Sequence, residues 1–103
     1  MWYILISMNN TADRKQIAYT VAAAASETLA DLKGVSPLQI REYLECNLTV
    51  KARRFPAWSA RQMAWVLANK AATEVKTHFV LDSDGISESQ IFTGILDKLE
   101  ASA

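Results

Sequence analysis

The sequence predicts an α+β domain, mostly helical, with about four helices and a small two- or three-stranded sheet. Two observations point to strands: residues 2–7 (WYILIS) are aromatic and β-branched up to Ser7, and residues 77–81 (THFVL) have a similar character. Runs this short suit a buried strand better than a helix, which needs about ten residues or more. A third observation points to helices, since Ser-x-x-Gln occurs three times, as Ser36/Gln39, Ser59/Gln62 and Ser87/Gln90, each opening a segment with helical apolar spacing. An all-α bundle is the alternative, because two short strands give a sheet little independent stability.

Taken in order, residues 2–7 form the first expected strand, and Asn9 and Asn10 end it. Thr11 can cap a long first helix with Asp13 in its first turn, Lys33 in its last and Gly34 just beyond, as the helix dipole and the C-cap prefer. Its apolar face is expected to carry Ile17, Val21, Ala24 or Ala25, Thr28 and Leu32, and residues 22–25 form a patch of small side chains that another backbone could approach. Each of the next three helices begins with a serine oxygen able to accept a first-turn N–H while the glutamine reaches back. The apolar pairs Val35/Ile40, Trp58/Met63 and Ile86/Ile91 are spaced as hydrophobic staples across those starts.

The second helix is expected from Pro37 to about Cys46, with Ile40 and Leu44 inward and Tyr43 beside them. Residues 48–52 alternate apolar and polar and read as a third, edge strand or an extended link. The third helix carries the stripe Ala60, Met63, Ala64, Leu67, Ala71 and Val75. Residues 77–81 then pair with residues 2–7, residues 82–85 turn, and a last helix buries Ile91, Ile95 and Leu99. Irregular spacing between the serine starts leaves no internal repeat.

The chain of 103 residues is read as a single domain, 1–103. Its 50% apolar content, broken by three glycines and two prolines, excludes a disordered tail or linker. Cys46 is the one cysteine and has no internal partner, so a reducing cytoplasm is the expected compartment. The apolar start is far shorter than the roughly 20 residues that span a bilayer, and it lacks a basic leader; neither a targeting segment nor a membrane partner is expected.

A formal net charge of zero conceals a strong segregation. Residues 51–76 hold Lys51, Arg53, Arg54, Arg61, Lys70 and Lys76 against Glu74, a net +5, whereas residues 77–103 come to −4. Residues 47–70 also hold Trp58, Trp65 and a proline break, and are read as the stretch around which the rest is arranged. Trp58 and Trp65 lie seven residues apart, on one helical face off the core stripe, with Arg61 between them. Aromatic side chains beside arginine anchor protein interfaces, because they bury much area at small entropic cost. The expected function is therefore non-enzymatic: a small regulator or adaptor that binds an acidic protein surface, or a second copy of itself, through Lys51, Arg53, Arg54, Trp58, Arg61 and Trp65. A homodimer is compatible with this. Solvated helix faces and an acidic tail masking the basic stretch are the competing explanations of the charge.

A DNA- or RNA-binding regulator is the alternative. Residues 27–45 place Ala30, Gly34, Val35, Ile40 and Leu44 much as a helix-turn-helix spaces them, and Gln39, Arg41, Lys51, Arg53 and Arg54 would then meet nucleic acid. Glu42 and Glu45 on the outward face, Lys33 before the glycine and a long first helix argue for an ordinary helical hairpin. Nothing calls for enzymatic chemistry, a metal or a cofactor. Cys46 and His78 have no spacing that pairs them as nucleophile and base. Asp82, Asp84 and Gly85 fall out of register for a calcium loop, with Val80 and Ile91 where acidic ligands would stand.

Overall fold

The computed structural model describes residues 11–54 and 59–101. They form four helices, α1 (Thr11–Lys33), α2 (Pro37–Arg53), α3 (Ala60–Phe79) and α4 (Glu88–Ala101), with a short 3-10 turn at Asp82–Asp84. Among the described residues there is no strand, so the α+β expectation is replaced by a compact all-helical, bundle-like fold. Residues 48–52 continue α2, and residues 77–79 continue α3. Residues 2–7 lie outside the described residues. The local alternation at 48–52 misled because Leu48 and Ala52 prolong the four-residue rhythm of Ile40 and Leu44, and all four are buried on one face.

The organising element is α1, not residues 47–70. It packs against α2, α3 and α4, which requires an apolar surface on more than one side. Ile17, Ala18, Val21, Ala22, Ala24, Ala25 and Leu29 are all buried, and the abundance of alanine allows neighbours on several sides. Polar atoms on the buried flank are satisfied within the helix: Ser26 Oγ donates to the Ala23 carbonyl at 2.9 Å and Thr28 Oγ1 to that of Ala24 at 2.8 Å. Leu32, expected inward, is 37% exposed because the core ends a turn earlier.

Gly34 closes α1 in the left-handed region at φ 75°, where a Cβ would be strained, and its N–H returns to the Ala30 carbonyl at 2.8 Å. The chain then reverses. Arg14 Nη1 donates to the Ala52 carbonyl at 3.2 Å, joining the start of α1 to the end of α2, so the two helices form an antiparallel hairpin along their length. A helix-turn-helix instead sets its helices at about 90–120°.

The serine starts differ in outcome. Ser59 makes the reciprocal capping box, with Gln62 N donating to Ser59 Oγ at 3.2 Å and Ser59 N to Gln62 Oε1 at 3.3 Å. Ser87 does the same with Gln90, at 3.1 and 3.5 Å. Ser36 makes no side-chain cap bond; there Pro37 in the first turn and the half-buried Val35 beside the core hold the start. Ile86 and Ile91 are buried as their staple requires. Trp58, of the third staple, lies outside the described residues.

Polar bonds tie the helices at the end opposite Arg14. Lys33 Nζ donates to the Phe79 carbonyl at 2.9 Å and pairs with Asp84 at 2.7 Å, while Lys76 Nζ donates to the Ile86 carbonyl at 2.7 Å. Between α2 and α3, Tyr43 Oη donates to Glu74 Oε2 at 2.9 Å, and Glu74 also pairs with Lys70 at 2.7 Å and lies 3.2 Å from His78 Nε2.

Candidate interaction surface

The end of α2 and the start of α3 carry most of the expected contact residues. Lys51 is half-buried on the last turn of α2, and Arg53 and Arg54 are exposed there. Basic side chains at that position also suit the negative end of the helix dipole, an ordinary structural reason for their presence. The chain enters α3 through the Ser59 box, which sets the first turn so that Arg61 and Trp65, four residues apart, project from one side of the helix. Together with Ser59, Gln62 and Val66 they line an open groove of about 700 Å³.

Trp65 is 49% exposed. Its inner edge meets Phe92 of α4 with ring centroids 4.8 Å apart at 81°, an edge-to-face contact that fixes the indole while leaving the other side in solvent. It therefore stands off the core stripe, as expected, and is held by α4. The stripe itself is wider than expected, since Ala68 and Ala72 are buried beside Ala60, Met63, Ala64, Leu67, Ala71 and Val75.

The expected contact residues that are described do not share one pocket. Trp58 lies outside the described residues. Arg53 lines a second cleft, of about 460 Å³, between α1 and α2 with Lys15, Tyr19 and Cys46, whereas Arg61 belongs to the Trp65 groove. The nucleic-acid set is more dispersed. Gln39 and Arg41 are exposed on the first turns of α2, and Arg41 is about 15 Å along the helix axis from Lys51 at 1.5 Å per residue. Arg41 also pairs with Glu45 at 3.6 Å.

Arg14 was missed from the sequence. Its bond to the Ala52 carbonyl puts another cation at the basic end, and only the hairpin brings residues 38 apart in sequence together. The acidic tail does not mask that end through Asp84, which pairs with Lys33 far from it.

The other weighed residues are committed elsewhere. His78 faces Glu74 and meets the Tyr43 ring at a tilt of 59° with centroids 5.5 Å apart, while Cys46 is an exposed residue of α2. Asp84 also accepts the Leu81 N–H at 2.7 Å, and with Lys33 this draws its carboxyl below the usual aspartate range, the lysine contributing most. Its geometry is that of a turn leading to Gly85, at φ 68°. No group of three or more His, Cys, Asp or Glu among the described residues is arranged to hold a metal ion. None of the described helices is long and apolar enough to cross a membrane. No protein-family model matches the chain, and neither does a curated protein or a solved structure.

Proposed function

We propose that this chain is a small non-enzymatic regulator or adaptor that binds an acidic protein surface through its basic, tryptophan-bearing end. The observation that carries the reading is the shared groove of Arg61 and the half-exposed, Phe92-braced Trp65, one short connection from Lys51, Arg53 and Arg54. A braced aromatic side chain loses little further freedom on binding, and cations around it favour encounter with carboxylates.

Affinity capture from lysate tests this, comparing the wild-type chain with the triple variant Arg53→Glu, Arg54→Glu, Arg61→Glu. The variant is expected to lose the captured partner, while its thermal midpoint moves by no more than a few degrees because all three side chains are exposed. Trp65→Ala should weaken the recovered partner by about 30-fold, a hot-spot loss near 2 kcal/mol. A folded triple variant that captures as well as wild type overturns the reading. Tryptophan fluorescence that changes saturably with mixed-sequence DNA and weakens with salt would transfer the surface to nucleic acid.

A further inference from the structure

A separate feature lies along α1, among the described residues. Where Tyr19, Ala23 and Ala24 of α1 face Arg41 of α2 and Leu99 of α4, the three helices enclose a cleft of about 490 Å³. That volume falls within the roughly 300–1,000 Å³ of small-molecule sites. The cleft exists because Thr20, Ala23 and Ala24 are small at the point where α2 and α4 flank α1; a larger residue at 23 would fill it. Its floor is apolar.

The rim is charged and one-sided. Lys15 of α1, Arg41 of α2 and Lys98 of α4 converge on it from three elements, against Glu27 alone. Each cation already has a partner: Lys15 stands 5.5 Å over the ring of Tyr19, itself in the cleft wall, while Arg41 pairs with Glu45 at 3.6 Å and Lys98 with Asp31 at 2.6 Å. Glu45 and Asp31 do not line the cleft. Pairs this exposed are worth up to about 1 kcal/mol, so an incoming anion can exchange with or join them.

We propose that this cleft binds a small amphipathic organic anion, its apolar body against Ala23, Ala24, Leu99 and the Tyr19 ring and its carboxylate at the Lys15, Arg41 and Lys98 rim. An apolar floor under a net positive rim selects for that combination over a neutral lipid or an inorganic anion. The site shares no residue with the Trp65 groove, so it stands or falls independently of the partner-binding function.

Calorimetric titration of the full chain with decanoate, decanol and inorganic phosphate tests the assignment. Decanoate should bind saturably at one site, and decanol and phosphate each about tenfold more weakly or worse, a difference of about 1.4 kcal/mol. Ala23→Leu should abolish binding, with retained helical circular dichroism and melting cooperativity confirming its fold. Lys15→Gln with Arg41→Gln, both exposed in the native chain, should bring decanoate down to the affinity of decanol and leave decanol unchanged. Absence of saturable decanoate binding overturns the proposal. So does equal affinity for decanol, or full binding by a folded Ala23→Leu variant.

Discussion

Gly94 shows how much one hydrogen atom can decide. A Cβ built on it would stand 2.5 Å from Thr28 Cγ2, inside van der Waals contact. Thr28 cannot readily turn away, because its hydroxyl is bonded to the Ala24 carbonyl and the side chain is 97% buried, only 3% of its surface remaining exposed. Alanine is the better helix former by about 1 kcal/mol, but overpacking a tight contact costs about 1–3 kcal/mol, so Gly94→Ala is expected to lower stability to urea. Thr28→Ser, which removes the offending methyl, should recover most of that loss in the double variant. Additive losses would mean that the α1–α4 spacing is set elsewhere. Glycine in mid-helix carries no sequence signal that separates a close approach from an incidental weak helix former, and the reason for Gly94 becomes visible only when Thr28 is opposite it.

The helix starts divide by what actually fills the cap. Ser59→Ala removes a reciprocal box and is expected to cost about 1 kcal/mol, whereas Ser36→Ala, with no side-chain bond to lose, should cost much less. Urea midpoints of the two variants measure the contrast; equal losses would show that Ser36 caps its helix in solution. These starts were legible because capping chemistry is local, a matter of four or five neighbouring residues. The strands were not. Five-residue windows such as 48–52 and 77–81 are too short to separate a period of two from one near four, and β-branched Thr49, Val50 and Thr77 tilted the reading. Packing decided otherwise: Leu48 and Ala52 extend the buried face of α2, and Thr49 satisfies its hydroxyl on the Glu45 carbonyl one turn back. The centrality of α1 was likewise hidden. Charge and tryptophan made residues 47–70 conspicuous, but the number of neighbours a helix has is a tertiary property. At the candidate surface the off-stripe position of Trp65 was readable from periodicity, while its Phe92 brace and the added Arg14 were not, since both depend on distant elements.

At the scale of the molecule, basic residues gather at one end, while at the other lysines and aspartates stand together. Arg14, Lys51, Arg53 and Arg54 gather where α1 begins and α2 ends, and Asp82 and Asp84 stand beyond the C-terminus of α3, where Lys33 meets Asp84 and the Phe79 carbonyl. Beside the lysine-to-carbonyl bonds there, two ties run through the carboxylates of Glu74 and Asp84, which makes stability depend on pH with a definite sign. Lys70 first and the Tyr43 hydroxyl next hold Glu74 below the usual glutamate range, and Lys33 with the Leu81 N–H does the same for Asp84. A carboxyl depressed in the folded state favours folding above its unfolded value, near pH 4, and loses that contribution as pH falls through the folded value. The bond to Glu74 has the opposite effect on Tyr43. Its hydroxyl is raised above the usual tyrosine value, so that contribution is complete below about pH 10 and is lost as pH rises through the folded value. The urea midpoint of the wild-type chain should therefore fall at both extremes. Glu74→Gln with Asp84→Asn should start lower at neutral pH and decline less steeply in acid, because neither replacement titrates. An acid limb as steep as that of wild type would place the titrating groups elsewhere and reduce the two ties to neutral hydrogen bonds.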